Sequence, residues 1–226
     1  MPLAKENSRL AWLLLTVPLL GACAHGRYDL AGDTTLVGEV SYNPTHRNPG
    51  SVQVVLKQDL RPPAEKSHHN LGDQLVTDSA WDDVFSISLP AVFAREVSRC
   101  GLFANAAPAL PNEPDQAAYK MELVVHHFRG AWPGGAWNAF TPWTELRVTA
   151  LVDVEVFFWG RVPEGGMGNL LYHHRYRQES SRIVGALDDG HRAAAEELGK
   201  ATQSILQQLL VDLETEMPHF GLPPGG

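Results

Sequence analysis

Glu145-Leu146-Arg147-Val148-Thr149-Ala150-Leu151-Val152-Asp153-Val154-Glu155-Val156-Phe157-Phe158 is the stretch that decides the fold. Leu146, Val148, Ala150, Val152, Val154, Val156 and Phe158 alternate with Glu145, Arg147, Thr149, Asp153 and Glu155. Period-two alternation of this length buries one face of a strand and leaves the other to water, as in an antiparallel sheet. Such a strand needs partners and a cover, and its neighbours in sequence supply both. Upstream, Tyr119, Met121, Leu123 and Val125 alternate with Lys120 and Glu122. Downstream, Leu170 to Ser180 reads as a third, more polar strand, with Gly165-Gly166-Met167-Gly168-Asn169 as its hairpin turn.

Two helices flank this meander. In the first, Ser88 suits the N-cap, Pro90 the first turn and Gly101 the C′ position, and Trp81 to Phe85 reads as an earlier turn with Pro90 as the kink. Leu89, Phe93, Val97 and Cys100 fall on one face of it. In the second, Asp188 or Asp189 caps a stripe of Ala194, Leu198, Ala201, Ile205, Leu209 and Leu213, and Pro218 ends it. Further upstream, the β-branched runs Thr34–Ser41 and Ser51–Asp59 read as a hairpin around a Pro- and Asn-rich turn. Arg61 to Asp78 reads as a loop, and Ala104 to Asp115 as a Pro-rich connector. The expected order is β-β-α-β-β-β-α. It makes a single α+β domain over 34–217, with one mixed or antiparallel sheet of about five strands and two helices on one face. The Pro/Gly end, 218–226, is expected to be disordered.

Composition narrows the function classes. The chain has 226 residues and a net charge of -8, which argues against nucleic acid as a partner because phosphate binding needs clustered Lys and Arg. Two cysteines cannot build a disulfide scaffold or a cysteine-rich zinc site. At the N-terminus, Lys5 and Arg9 precede the apolar run Leu10–Leu20, which is too short to span a bilayer. The run ends in Leu20-Gly21-Ala22-Cys23, which resembles the lipobox of bacterial lipoproteins. That resemblance implies a signal peptide over 1–22, acylation of Cys23, and a lipidated tether over 23–33. Two or three acyl chains, at about 0.8 kcal/mol per buried methylene, hold a protein at a membrane where one would not. Ala24, in place of Asp, implies the outer membrane, facing the periplasm, by the sorting rule of that family. Removal of the leader shifts the formal charge from -8 to -9, so the acyl chains and not the protein surface supply the membrane contact.

Further residues carry a second resemblance. A strand runs into Asp59-Leu60-Arg61, and Leu71-Gly72 follows after a loop. A helix ends in Arg99-Cys100-Gly101-Leu102-Phe103, Ala118-Tyr119-Lys120-Met121-Glu122-Leu123 opens the meander, and an Ala-rich helix closes it. Over roughly residues 50 to 215 this pattern resembles the small periplasmic lipoproteins of the YajG-like and ABC-transport auxiliary kind. The resemblance implies a non-catalytic accessory protein that docks to a protein partner in an export or lipid-trafficking system. The tryptophan-rich segment at 129–143 and the first hairpin depart from the pattern.

Chemistry-bearing clusters are few. Histidine pairs occur at His68-His69, His126-His127 and His173-His174, without the spacing of a zinc motif. Adjacent histidines on a strand point to opposite faces, and the central strand is expected to separate the last two pairs. No metal or cofactor site is expected. No nucleophile motif is present, and Cys100 reads as a packed thiol. Arg129 to Trp143 holds three tryptophans and a phenylalanine in a Pro/Gly loop. Trp132, Trp137, Phe140 and Trp143 either seal one end of the sheet or form a patch for a protein partner or the membrane interface. A second apolar surface is expected from Phe157, Trp159, Tyr172 and Tyr176 on the far face of the sheet. The function expected is a non-enzymatic binding or accessory lipoprotein. The alternatives are a carrier for a lipid or other hydrophobic ligand between sheet and helices, and, remotely, an envelope hydrolase.

Overall fold

The computed structural model describes residues 27–67, 74–110, 112–113, 117–133, 145–162, 166–185 and 188–220. Its elements run β1 (Asn48–Asp59), α1 (Pro63–Lys66), β2 (Gln74–Val76), α2 (Phe85–Cys100), β3 (Phe103–Ala109), β4 (Tyr119–Trp132), β5 (Glu145–Val162), β6 (Gly166–Gly185) and α3 (Gly190–Glu216). They build one six-stranded mixed sheet in the order β3-β1-β4-β5-β6, with β2 also on β4. β1 is parallel to both β3 and β4, and the β4-β5-β6 meander is antiparallel. The class is α+β with a single sheet, as the alternation in β5 requires.

The two long helices cover one face. α2 packs on β1 and β3, and α3 on β4, β5 and β6. Val148, Val152, Val154, Val156 and Phe158 of β5 are all fully buried in one cluster with Phe93 of α2 and Leu198, Leu206 and Leu209 of α3. Burial at about 25 cal/mol per Å² of apolar surface makes this layer the source of the fold's stability. Asp189 caps α3 by accepting from the Arg192 N–H at 3.0 Å. Gly101 ends α2 with φ +72°, a left-handed conformation that favours glycine.

Several expectations differ from the structure, among them the loop read over Arg61–Asp78, which contains α1 and β2. Thr34–Ser41 is not a strand: residues 28–47 form an irregular strap over the helices, with Leu30, Leu36, Val37 and Val40 buried. β-branched side chains there pack in a groove instead of pairing along a ladder, so tertiary context overrides local preference. Residues 28–33, read as tether, belong to this strap, and Leu30 is 2% exposed. The connector after α2 contains β3, an edge strand parallel to β1, where Pro108 is tolerated because one side has no ladder partner. α2 begins at Phe85, three residues before the expected cap, and carries Pro90 inside it. At the other end, Phe220 is buried and stacks on Phe158 at 5.3 Å, so residues 218–220 are packed, whereas 221–226 lie outside the described residues.

The strap is latched by charge. Glu96 is fully buried and accepts from the Val40 N–H at 3.0 Å, from Arg95 and from Arg99. Arg95 also donates to the carbonyls of Ala31 and Val37, and Arg99 to that of Val40. Burial alone would raise the Glu96 carboxyl, but the Val40 N–H and the two guanidinium groups outweigh it and hold it below its usual range. Gly199 lets the strap approach, since a Cβ there would lie 1.7 Å from the Leu36 carbonyl oxygen. Glu214 pins the far end, accepting from the Tyr42 hydroxyl, the Thr45 N–H and hydroxyl, and the His46 N–H.

Candidate functional site

Three regions hold the residues on which function could rest: the end where the chain enters, the open face of the sheet, and the buried thiol. Cys23 lies outside the described residues, which begin at Arg27. Tyr28 donates its N–H to Ala80 at 2.8 Å and accepts from the Asp82 N–H at 2.9 Å, forming a short bridge beside Trp81. The Tyr28 ring stacks on His191 at 5.3 Å, and its hydroxyl shares a hydrogen bond with His191 Nδ1 at 2.9 Å. Burial, with the Asp189 carboxylate near it, pushes the Tyr28 phenol up to about 12, so it stays neutral in that bond.

Trp132 meets the other side of this pair. Its ring stands edge-on to His191 at 5.0 Å, and it is 9% exposed. The root of the tryptophan-rich loop and the entry of the chain are therefore at one end of the molecule, joined through His191. Trp132 itself is packed. Trp137, Phe140 and Trp143 lie outside the described residues.

The second region is the face of the sheet turned away from the helices. A bulge between Val125 and His127 breaks the alternation of β4. His126 reaches Glu155 at 3.1 Å, and His127 reaches the buried Glu65 of α1 at 2.8 Å. Glu155, on the central strand, is also met by His173 of β6 at 2.6 Å. The gap expected between the histidine pairs is thus spanned by one carboxylate. The His173 hydrogen bond, more than any other contact, lowers the Glu155 carboxyl below its usual range. Asp153, 1% exposed, is gripped by Arg175 through two hydrogen bonds of 2.7 and 2.9 Å. Nearby, Glu122 accepts from Lys57 at 2.7 Å and from the Trp159 indole N–H at 3.1 Å, while Lys57 stands 5.1 Å over the Phe157 ring. Among the described residues, no group of three or more His, Cys, Asp or Glu is placed to hold a metal ion.

This face is not the aromatic surface expected. Phe157 and Trp159 lie on it, but Tyr176 is 2% exposed and its hydroxyl donates to Asp212 of α3 at 2.8 Å. Tyr172 joins the same carboxylate at 3.1 Å, so the two tyrosines fasten β6 to α3. Sequence reasoning missed the Lys57–Glu122–Trp159 group because its members sit on three strands, brought together by the parallel β1–β4 pairing as well as the antiparallel β4–β5 one. His68, His69 and the Leu71-Gly72 pair lie outside the described residues.

The third region is Cys100. It is buried, its thiol donates to the Val97 carbonyl at 3.2 Å, and burial pushes its pKa up. A reactive cysteine needs the opposite shift.

No family model matches the chain, and no curated protein matches it. Solved structures give distant likenesses. Protein XCC0632 of Xanthomonas campestris, described as a DUF330 protein, is 13% identical, with 79% of this chain and 96% of that one covered and a TM-score of 0.46. A Caulobacter crescentus chain described as a candidate lipoprotein is 16% identical, covering 47% and 72%, at 0.32. The PelC dodecamer of Paraburkholderia phytofirmans is 12% identical, covering 72% and 93%, at 0.34. At these values each is a similarity of chain path and assigns no role to any residue here. Among the described residues, no helix is long and apolar enough to cross a membrane.

Proposed function

We propose that this chain is a non-enzymatic lipoprotein, anchored through Cys23 to the outer membrane and facing the periplasm. It acts there as a binding or accessory component of envelope assembly or transport, of the YajG-like and ABC-transport auxiliary kind. The observation that carries the reading is the Leu20-Gly21-Ala22-Cys23 ending of a short apolar run, placed five residues ahead of Tyr28, which is hydrogen-bonded into the fold. Docking to a protein partner falls to Trp137, Phe140 and Trp143, whose loop is rooted at Trp132 beside the entry of the chain.

Two observations support the absence of catalysis. The Cys100 thiol is buried and held protonated, and Glu96, Glu122, Asp153 and Glu155 are each already engaged by cations, histidines or N–H groups. The carrier reading needs space between sheet and helices. That space holds Phe93, Leu123, Val154, Leu198 and Leu206, none of them measurably exposed, so a hydrophobic ligand would have to displace the core.

Fractionation of cells tests the anchor. The native chain is expected with the outer membrane, and Cys23→Ser in the soluble periplasm. A native chain recovered as soluble protein would overturn the anchored reading. A photo-crosslinker at residue 137 in intact cells tests the loop. Capture of one envelope protein, lost when Phe140 and Trp143 are replaced by Ser in a folded chain, supports docking. If those replacements unfold the protein, the loop is core and the docking role fails. Trp132 is left unchanged, because it is packed on His191 and its replacement would report on folding.

A further inference from the structure

The end where the chain enters carries an exposed aliphatic pair. Val84 precedes α2 and is 66% exposed, and Ile87, on the first turn, is 45% exposed. The Val84 carbonyl accepts from the Ile87 N–H at 2.8 Å, so the two ride on one rigid turn. Val84 lines the same groove, of about 430 Å³, as Arg27, Trp81, Asp82 and Asp83. Arg27 is the first described residue on the side of the chain that runs to Cys23.

Only four residue steps separate Arg27 from Cys23. Fully extended they span at most about 14 Å, whatever their conformation. Acyl chains on Cys23 would therefore keep the Arg27 groove within that distance of the lipid glycerol. A tether so short makes any contact with the bilayer intramolecular, with an effective concentration on the order of millimolar. A patch too small to bind a membrane in free solution is then enough.

We propose that the Val84–Ile87 turn seats in the interfacial zone of a zwitterionic lipid surface, fixing the orientation of the anchored protein. The occupant follows from where the chain outside the structure attaches and from charge. Asp82 and Asp83 flank the turn beside Arg27, and Arg61 deeper in the groove is already matched by Asp59 and Asp78, so the groove is net negative: an anionic lipid surface repels this end and a zwitterionic one does not. The inference rests on the anchored reading. It adds to that reading a protein contact, where the net charge alone assigns the membrane contact to the acyl chains.

The test uses the full lipidated chain in phosphatidylcholine vesicles. A polarity-sensitive fluorophore is placed at Val84→Cys or Ile87→Cys, and at His173→Cys on the open face as the reference. The buried Cys100 thiol is not competitive for labelling. The expected result is a blue-shifted emission at 84 and 87, quenched several-fold more by lipid-borne quenchers than emission at 173. Replacing a third of the lipid with phosphatidylglycerol reduces that difference. Chains that float with the vesicles but show water-like emission at 84 and 87 overturn the inference and leave the anchor standing. Protection of 84 and 87 only after addition of envelope proteins overturns it in favour of a protein partner. Chains that do not float overturn the anchor, and the lipid contact with it.

Discussion

The two faces of the sheet are built on different physics. Under the helices and strap, the inward residues of β1, β4 and β5 join one continuous apolar cluster, and the buried charge above it, Glu96, ties the strap to α2. On the open face, side chains meet as discrete polar pairs between strands: His126 and His173 on Glu155, Arg175 on Asp153, Lys57 and Trp159 on Glu122. Buried apolar area is cooperative and non-directional, so the covered face sets stability. Pairs that face water contribute little each, so apart from the buried Asp153 and Glu122 the open face specifies a pattern of charge at small energetic consequence.

The sharpest way to break this comparison is to damage the covered face. Phe93→Ala, at a site with no measurable exposure, is expected to cost about 3–5 kcal/mol in urea denaturation, because a cavity remains where the ring was. A loss under 1 kcal/mol would mean that the core between α2 and the sheet is not close-packed. Next in size is the latch. Glu96→Ala leaves the Val40 N–H and two guanidinium groups without their shared acceptor, at about 2–3 kcal/mol, the arginines being partly exposed. Protease cleavage between residues 31 and 42 should accelerate in that variant before global unfolding does. Equal protection of strap and core would show that the strap is not a separable layer.

The covered face was legible in the sequence and the open face was not, for a physical reason. One-sided burial writes itself as alternation, and β5 shows it from Leu146 to Phe158. The strap has no such period. Thr34, Thr35, Val37 and Val40 look like a strand, yet the carbonyls of Val37, Glu39 and Val40 accept from Arg95, Gln203 and Arg99 instead of from a neighbouring strand. β3 was hidden for the opposite reason. Its Ala-Asn-Ala-Ala-Pro-Ala run lacks strand formers, and only the exposed edge of β1 recruits it. Cross-strand groups such as Glu155 with two histidines depend on register, and on a bulge at His126 that no periodicity reveals. The segment read as an aromatic loop from Arg129 begins as the end of β4, which runs to Trp132, and the contact of Trp132 with His191 joins residues that are far apart in sequence.

A smaller effect sits at the far end of the strap. Burial opposes ionisation of Glu214, but hydrogen bonds from Thr45, Tyr42 and the His46 N–H outweigh it and bring its pKa from 4.5 down to about 2. A carboxyl depressed on folding stabilises the native state above its unfolded value, and that contribution is lost as pH falls through the folded one. The native chain should therefore lose stability between about pH 4.5 and pH 2 more steeply than Glu214→Gln, with the two differing by about 1 kcal/mol at neutral pH. Parallel curves through that window would show that the carboxylate is not what pins residues 42–46.

The smallest effect is expected on the open face, and it tests the comparison most directly. Glu155→Gln removes the charge that His126 and His173 share, but keeps the side-chain length and an acceptor oxygen. His173 also stacks on Phe157 at 4.4 Å, so it retains a partner. Because the site is partly exposed, the loss at pH 7 should stay below about 1 kcal/mol, and added salt should shrink it further. The sign with pH follows from the lowered carboxyl: whatever stability the charge supplies is present above its ordinary value of 4.5 and disappears as pH falls through the lower one. A loss as large as that of Phe93→Ala would break the distinction between the faces. It would make the His126–Glu155–His173 bridge the element that holds β4, β5 and β6 in register, with the apolar layer beneath insufficient on its own.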